Sequence, residues 1–330
     1  MLIAMRTMRL FPALFVTAVG VGVPLVACRD SAQEAADAAA VNASAAPTAS
    51  ATDSSSATAS ASASASASAS VANALPIPAA SVAAAVNPRG FPTYDGPRGS
   101  VEGTITIVGD RAPDVPDLDF TKCPAGAKTY GKLFREGPPL PNGARPLADA
   151  VVAVTDYAPG FYVPETKLAV PVTVDGCEFR PRTITMTYGQ RLEIVNNTKL
   201  VIGPALDRAP TPALLIAPPE AHGDPVKLYP PRPGYYTMSD RIDLPFLTAD
   251  VYVMLHPFHT ASAMDGHFRI DGVPAGKAKV SARLRTIARE ASKDVDVPAG
   301  GVVKVELVLK YEKKDAGAPT DASARPKTIP

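Results

Sequence analysis

The chain has 330 residues and a formal charge of +1, from 33 Lys+Arg against 32 Asp+Glu, a balance that removes the electrostatic case for nucleic acid as a partner. The absence of Trp, the 35 prolines and the scarcity of long apolar periodic stretches argue against a helical bundle. Three Cys and four His leave little material for a metal cage.

Residues 1–27 read as a secretory leader. Arg6 and Arg9 precede an apolar stretch, 10–26, interrupted by Pro12, Gly20, Gly22 and Pro24, which suits a cleaved leader better than a permanent span. The run Leu25-Val26-Ala27-Cys28 resembles the bacterial lipobox, and that resemblance implies cleavage before Cys28 and lipidation of its thiol. Several acyl chains at one site give stable anchoring. A plain signal peptide with an incidental cysteine is the alternative. Arg29 follows the cysteine where an inner-membrane retention aspartate would stand, so outer-membrane delivery is favoured.

Residues 28–95 then read as a disordered tether. Ala, Ser and Thr dominate it, with strict alternation from Ser56 to Ser70, and such a segment has too little apolar surface to offset its ordering entropy. As a flexible coil it spans about 45 Å for some 65 residues. The Ala- and Pro-containing tail 314–330 has the same character.

Between these lies one β block, 96–313, in which the dominant period is two. Val101, Ile105 and Ile107 mark a first strand over 100–108, and 150–154 reads as a buried strand. Two runs, 183–187 and 191–195, read as a hairpin turning at Tyr188-Gly189-Gln190. Residues 250–255 alternate again. Two further runs, 267–270 and 278–284, flank a turn at 272–276. Val295, Val297 and 303–309 read as a closing hairpin. The Pro-heavy stretch 204–233 reads as a long excursion with little sheet pairing. Short strands with Gly/Pro punctuation indicate an all-β sandwich or Greek-key barrel.

With Cys28 lipidated, Cys123 and Cys177 are an even pair in an oxidising compartment, which favours a disulfide over two separate buried thiols. The stretch Gly126-Ala127-Lys128-Thr129-Tyr130-Gly131-Lys132 nearly spells a phosphate-binding loop, but Leu133 replaces the Ser/Thr that would hold magnesium. No Gly-x-Ser-x-Gly or His-Glu-x-x-His is present, so an enzyme is not expected.

Several runs occur in one order: Cys177-Glu178-Phe179-Arg180-Pro181, Gly189-Gln190, Asn196-Asn197, His256-Pro257-Phe258, Asp265-Gly266-His267-Phe268 and Val273-Pro274-Ala275-Gly276. Together they resemble the cupredoxin-like domain of bacterial methylamine-utilisation-type proteins, with features of carboxypeptidase regulatory-like (prealbumin-type) modules. The resemblance covers 100–309 and implies a Greek-key β-sandwich. Copper-binding members of that family use a His, then Cys-x-x-His with a Met shortly after. Those positions fall here near Ile202 and on Arg241, Leu244 and Leu247. A blue-copper centre needs a thiolate and imidazoles, and no cysteine follows Cys177. The expectation is therefore a scaffold that has lost its copper, with no cofactor.

Two side-chain groups remain as candidate ligand contacts. His256 and His259 lie three apart, so a shared ligand needs a bend at Pro257, with His222 and His267 as further imidazoles; ordinary loop packing is the plainer reading. Tyr235 and Tyr236, with Tyr229, Phe246 and Phe258, are the aromatic candidates for a sugar platform. The expected function is a non-catalytic envelope lipoprotein, membrane-bound through its lipid, presenting the β block to an envelope protein or polysaccharide. A carbohydrate- or peptidoglycan-binding module and a metal or electron carrier with unusual His ligands are the alternatives.

Overall fold

The computed structural model describes residues 77–209 and 214–313, all within one compact unit, Ser60–Pro330. The leader, Cys28, the tether up to residue 76 and the tail 314–330 lie outside the described residues. Strands dominate, and they form two sandwiches, each with its own hydrophobic cluster. The architecture is all-β, as the period-two pattern requires.

In the first sandwich, the long strand β1 (Arg98–Gly109) pairs antiparallel with β13 (His267–Pro274) and parallel with β16 (Val302–Tyr311), and the two-residue β2 (Arg145–Pro146) caps its far end. The facing sheet runs β12 (His259–Ala261), β3 (Val151–Thr155), β14 (Gly276–Leu284) and β15 (Arg289–Val297). Val101, Ile105 and Ile107 of β1 alternate inward and meet Val152, Val154, Val280 and Ala282 of the opposite sheet.

The second sandwich is inserted between β3 and β12. One sheet has the order β5 (Glu178–Arg180), β4 (Ala169–Asp175), β7 (Arg191–Asn196), β9 (Val226–Leu228). The other runs β6 (Thr183–Thr187), β11 (Thr248–Met254), β10 (Gly234–Asp240), β8 (Pro204–Leu206). The pairs β4–β7 and β6–β11 are parallel. Val172, Phe179, Leu192 and Ile194 pack against Ile184, Met186, Val251 and Met238 between the sheets. The excursion 204–233 contributes only the three-residue strands β8 and β9, in keeping with its proline content.

The strands stand where the alternation places them, but their connections differ. Neither predicted hairpin is one, and the turn at 272–276 does not make one either. β6 and β7, β13 and β14, and β15 and β16 each cross from one sheet of a sandwich to the other. Alternation reports which face of a strand is apolar; two sheets sharing one core present the same apolar face, so the pattern does not choose between a hairpin and a crossover. A true two-residue hairpin joins β4 to β5 through Gly176 and Cys177, both at positive φ, 55° and 62°.

The tether boundary is also corrected. Residues 77–95 are folded against the block: helix α1 (Ala79–Val86) lays Val82, Ala85 and Val86, with Ile77, on the second cluster. Gly189, at φ 103°, forms the corner between β6 and β7, and a Cβ there would lie 2.7 Å from Val82. The glycine therefore serves both the corner and the approach of the helix.

Candidate functional site

The positions that the family resemblance assigns to copper ligands sit on two adjoining loops of the second sandwich. Ile202, Leu244 and Leu247 are at most 1% exposed and share one hydrophobic cluster, whereas Arg241 is exposed. The loops are locked by Asp240. Its Oδ1 accepts from the backbone N–H of Gly203 (2.7 Å) and Ile242 (3.2 Å), and its Oδ2 from Asp243 (2.9 Å) and Leu244 (2.8 Å). The Arg241 N–H donates in turn to the Gly203 carbonyl (2.9 Å). Three aliphatic side chains and a guanidinium supply no thiolate or imidazole, so this donor set does not fit copper.

The bend at Pro257 brings His256 and His259 together, with ring centroids 6.1 Å apart. They lie where the chain leaves the second sandwich after β11 and re-enters the first at β12. The His259 Nε2 is 3.0 Å from the Thr187 hydroxyl at the end of β6, and that hydroxyl also donates to Glu165 Oε2 (3.1 Å). His256 packs edge-on against Tyr157 at 6.4 Å. Among the described residues, the Nδ1 atoms of both rings are buried without a hydrogen-bond partner. Burial pushes the His256 imidazole down to about 4; burial and then the neighbouring His256 push His259 down to about 3. Both are therefore neutral at pH 7. His222 lies exposed on the 219–221 turn against the Pro219 carbonyl, and His267 faces Glu102 across β1 and β13. The four histidines do not converge, and among the described residues no group of three or more His, Cys, Asp or Glu is placed to hold a metal ion.

The aromatic candidates do not make an open platform. Tyr236 is only 5% exposed and its hydroxyl donates to the Arg232 carbonyl (2.8 Å). The Tyr235 ring is covered by the Arg285 guanidinium at 3.7 Å, with Arg208 at 5.9 Å, and its hydroxyl is bonded to Asp250. Phe246 and Phe258 are buried, in the second and first clusters respectively. Packing of rings and guanidinium planes against a sheet consumes the faces that a sugar would need.

Cys123 and Cys177 form a disulfide with Cα atoms 6.3 Å apart. It ties the start of the 124–130 helical segment to the β4–β5 turn. Asp240 escapes sequence reasoning because its partners are backbone groups. For α1, the apolar Ile77, Val82 and Val86 at near-helical spacing carried a weak signal within an Ala-rich run.

No family model matches the chain. No curated protein matches it. Among solved structures, the chain is similar to amicyanin from Paracoccus versutus (16% identity, 32% of this chain and 98% of that one, TM-score 0.23) and to plastocyanin from Dryopteris crassirhizoma (18% identity, 26% and 99%, TM-score 0.20). It is also similar to the copper-containing nitrite reductase of Thermus scotoductus SA-01 (23% identity, 29% and 24%, TM-score 0.22). The all-β assignment rests on the strands themselves.

Proposed function

We propose that the chain is an exported, lipid-anchored envelope protein in which a cupredoxin-like sandwich, inserted into a prealbumin-type one, has become a non-catalytic binding scaffold. The observation that carries the reading is the aliphatic filling of the ligand positions: Ile202, Leu244 and Leu247 lie inside the hydrophobic cluster, pinned by Asp240. Side chains packed to interior density leave no room for a metal and its coordination sphere. The anchor rests on the lipobox-like run ending at Cys28 and on the leader before it.

The test has two arms. Full-length protein is exposed to copper(II) and zinc(II), desalted, and assayed for metal and visible absorption. The reading predicts neither retained stoichiometric metal nor an absorption band. Retained copper that survives His256→Ala/His259→Ala would overturn the vacant-scaffold assignment. Labelling with radioactive palmitate, in a bacterium that processes lipoproteins, is expected for the wild type and lost in Cys28→Ser; an unlabelled wild type removes the anchor from the account.

A further inference from the structure

A cavity of about 830 Å³ opens between the two sandwiches, away from the vacated ligand loops and from the histidine pair. That volume is in the range of small-molecule sites. Its accessible apolar surface comes from the exposed Ala125 and the half-exposed Met264, with Phe134 and Ala112 of the first cluster buried behind it. Around it stand Arg111, Lys128, Lys132 and Arg180, with Arg135 further in, against the carboxylates Glu136 and Glu178.

The acidic groups are already engaged. Glu136 accepts from Arg145 at 2.6 Å, with Arg111 at 3.7 Å; Glu178 is held by Arg180 and bonded to the Thr129 hydroxyl. Arg135 is satisfied by two hydrogen bonds of 2.6 Å to Asp149. The cations at the mouth are in a different state. Lys128 is exposed and forms no ion pair among the described residues, and Lys132 is held only by Asp114, itself 82% exposed. Exposed pairs of that kind contribute little and exchange readily for another anion. A cleft with low-dielectric walls and excess positive charge concentrates anions at its mouth.

The walls are fixed. The disulfide joins Cys123, just before Ala125 and Lys128, to Cys177, between Gly176 and Glu178, so both sides of the opening are stapled to each other. We infer that this cavity is a binding site for an organic anion with an apolar body, the body resting on Met264 and Ala125 and the anionic head meeting Lys128 and Lys132. This goes beyond the vacant-scaffold reading and does not depend on it, since the metal titration does not probe the cavity.

The test follows 4-(trifluoromethyl)benzoate by fluorine NMR with the full chain in a non-ionic detergent. Saturable binding is expected, competed by phenylphosphate, absent for the neutral 4-(trifluoromethyl)benzyl alcohol and weakened by added salt. Loss of charged contacts in Lys128→Ala/Lys132→Ala should weaken it about tenfold or more. Met264→Glu, which places a negative charge at the mouth, should abolish it, and neither variant should shift the thermal transition, because the altered side chains are solvent-facing. Absence of saturable binding, equal binding of the alcohol, or unchanged affinity in both variants would overturn the assignment.

Discussion

Asp240 is almost closed off from water, and its two oxygens accept four backbone N–H groups from two loops. Removing the carboxylate leaves the Gly203 and Leu244 donors buried and unpaired, a cost of about 3 kcal/mol. Asp240→Ala should therefore lower the unfolding free energy by about that amount in chemical denaturation, and a loss under about 0.5 kcal/mol would show that the loops hold without it. The histidine pair gives a pH signature. The unfolded chain takes up these protons near pH 6.5, while the folded one resists until about 4 for His256 and about 3 for His259. Between those limits the unfolded state binds more protons, so stability falls as the pH drops through that window and is unaffected above it. The loss by pH 4 is on the order of 3 kcal/mol for each histidine. His256→Asn/His259→Gln should flatten the slope between pH 4 and 6.5, and an unchanged slope would assign it to carboxylates elsewhere. The identity of such residues was plain in the sequence, but not their surroundings. For Tyr235 those surroundings are Arg285, Arg208 and Asp250, which cover or bind it and are distant along the chain.

At the scale of elements, the alternation in 100–108, 183–187, 191–195, 250–255 and 303–309 marked real strands, because one face of each meets a core. What stayed hidden was pairing. The ladder is made of backbone groups that every residue carries, so β1 with β16 and β6 with β11, both parallel and far apart in sequence, leave no mark in the side-chain pattern. Helix α1 was hidden by composition, since an Ala/Ser/Val run of low complexity looks unable to dock. Its docking rests on few contacts, chiefly Ile77, Val82, Ala85 and Val86. Val82→Asp should release the segment, seen as faster proteolysis N-terminal to residue 95 with the thermal transition lowered by only a few degrees, a loss of about 1–2 kcal/mol. Protection equal to wild type would mean that α1 docks by other contacts.

For the whole molecule, the chain leaves the first sandwich after β3, builds the second from β4 to β11 and returns through β12. The disulfide closes a separation of 54 residues and anchors the inserted sandwich beside the cavity. Its reduction should cost about 4 kcal/mol of stability in the chain-entropy account. Denaturation with and without reductant measures this; coincident curves would mean that the crosslink adds nothing. The Cys123–Cys177 bridge matches the pairing expected from the sequence, whereas the insertion was not legible there, because both sandwiches share one period.

The central proposal is that this β-sandwich carries aliphatic packing at the positions where the resemblance would put copper ligands. Metal content and visible absorption of the full-length protein after exposure to copper(II) and zinc(II) test it most directly. The account predicts no stoichiometric metal and no visible band, in wild type and in His256→Ala/His259→Ala alike. Stoichiometric copper with a visible band would contradict it, and loss of that copper in the double variant would move the centre to the histidine pair.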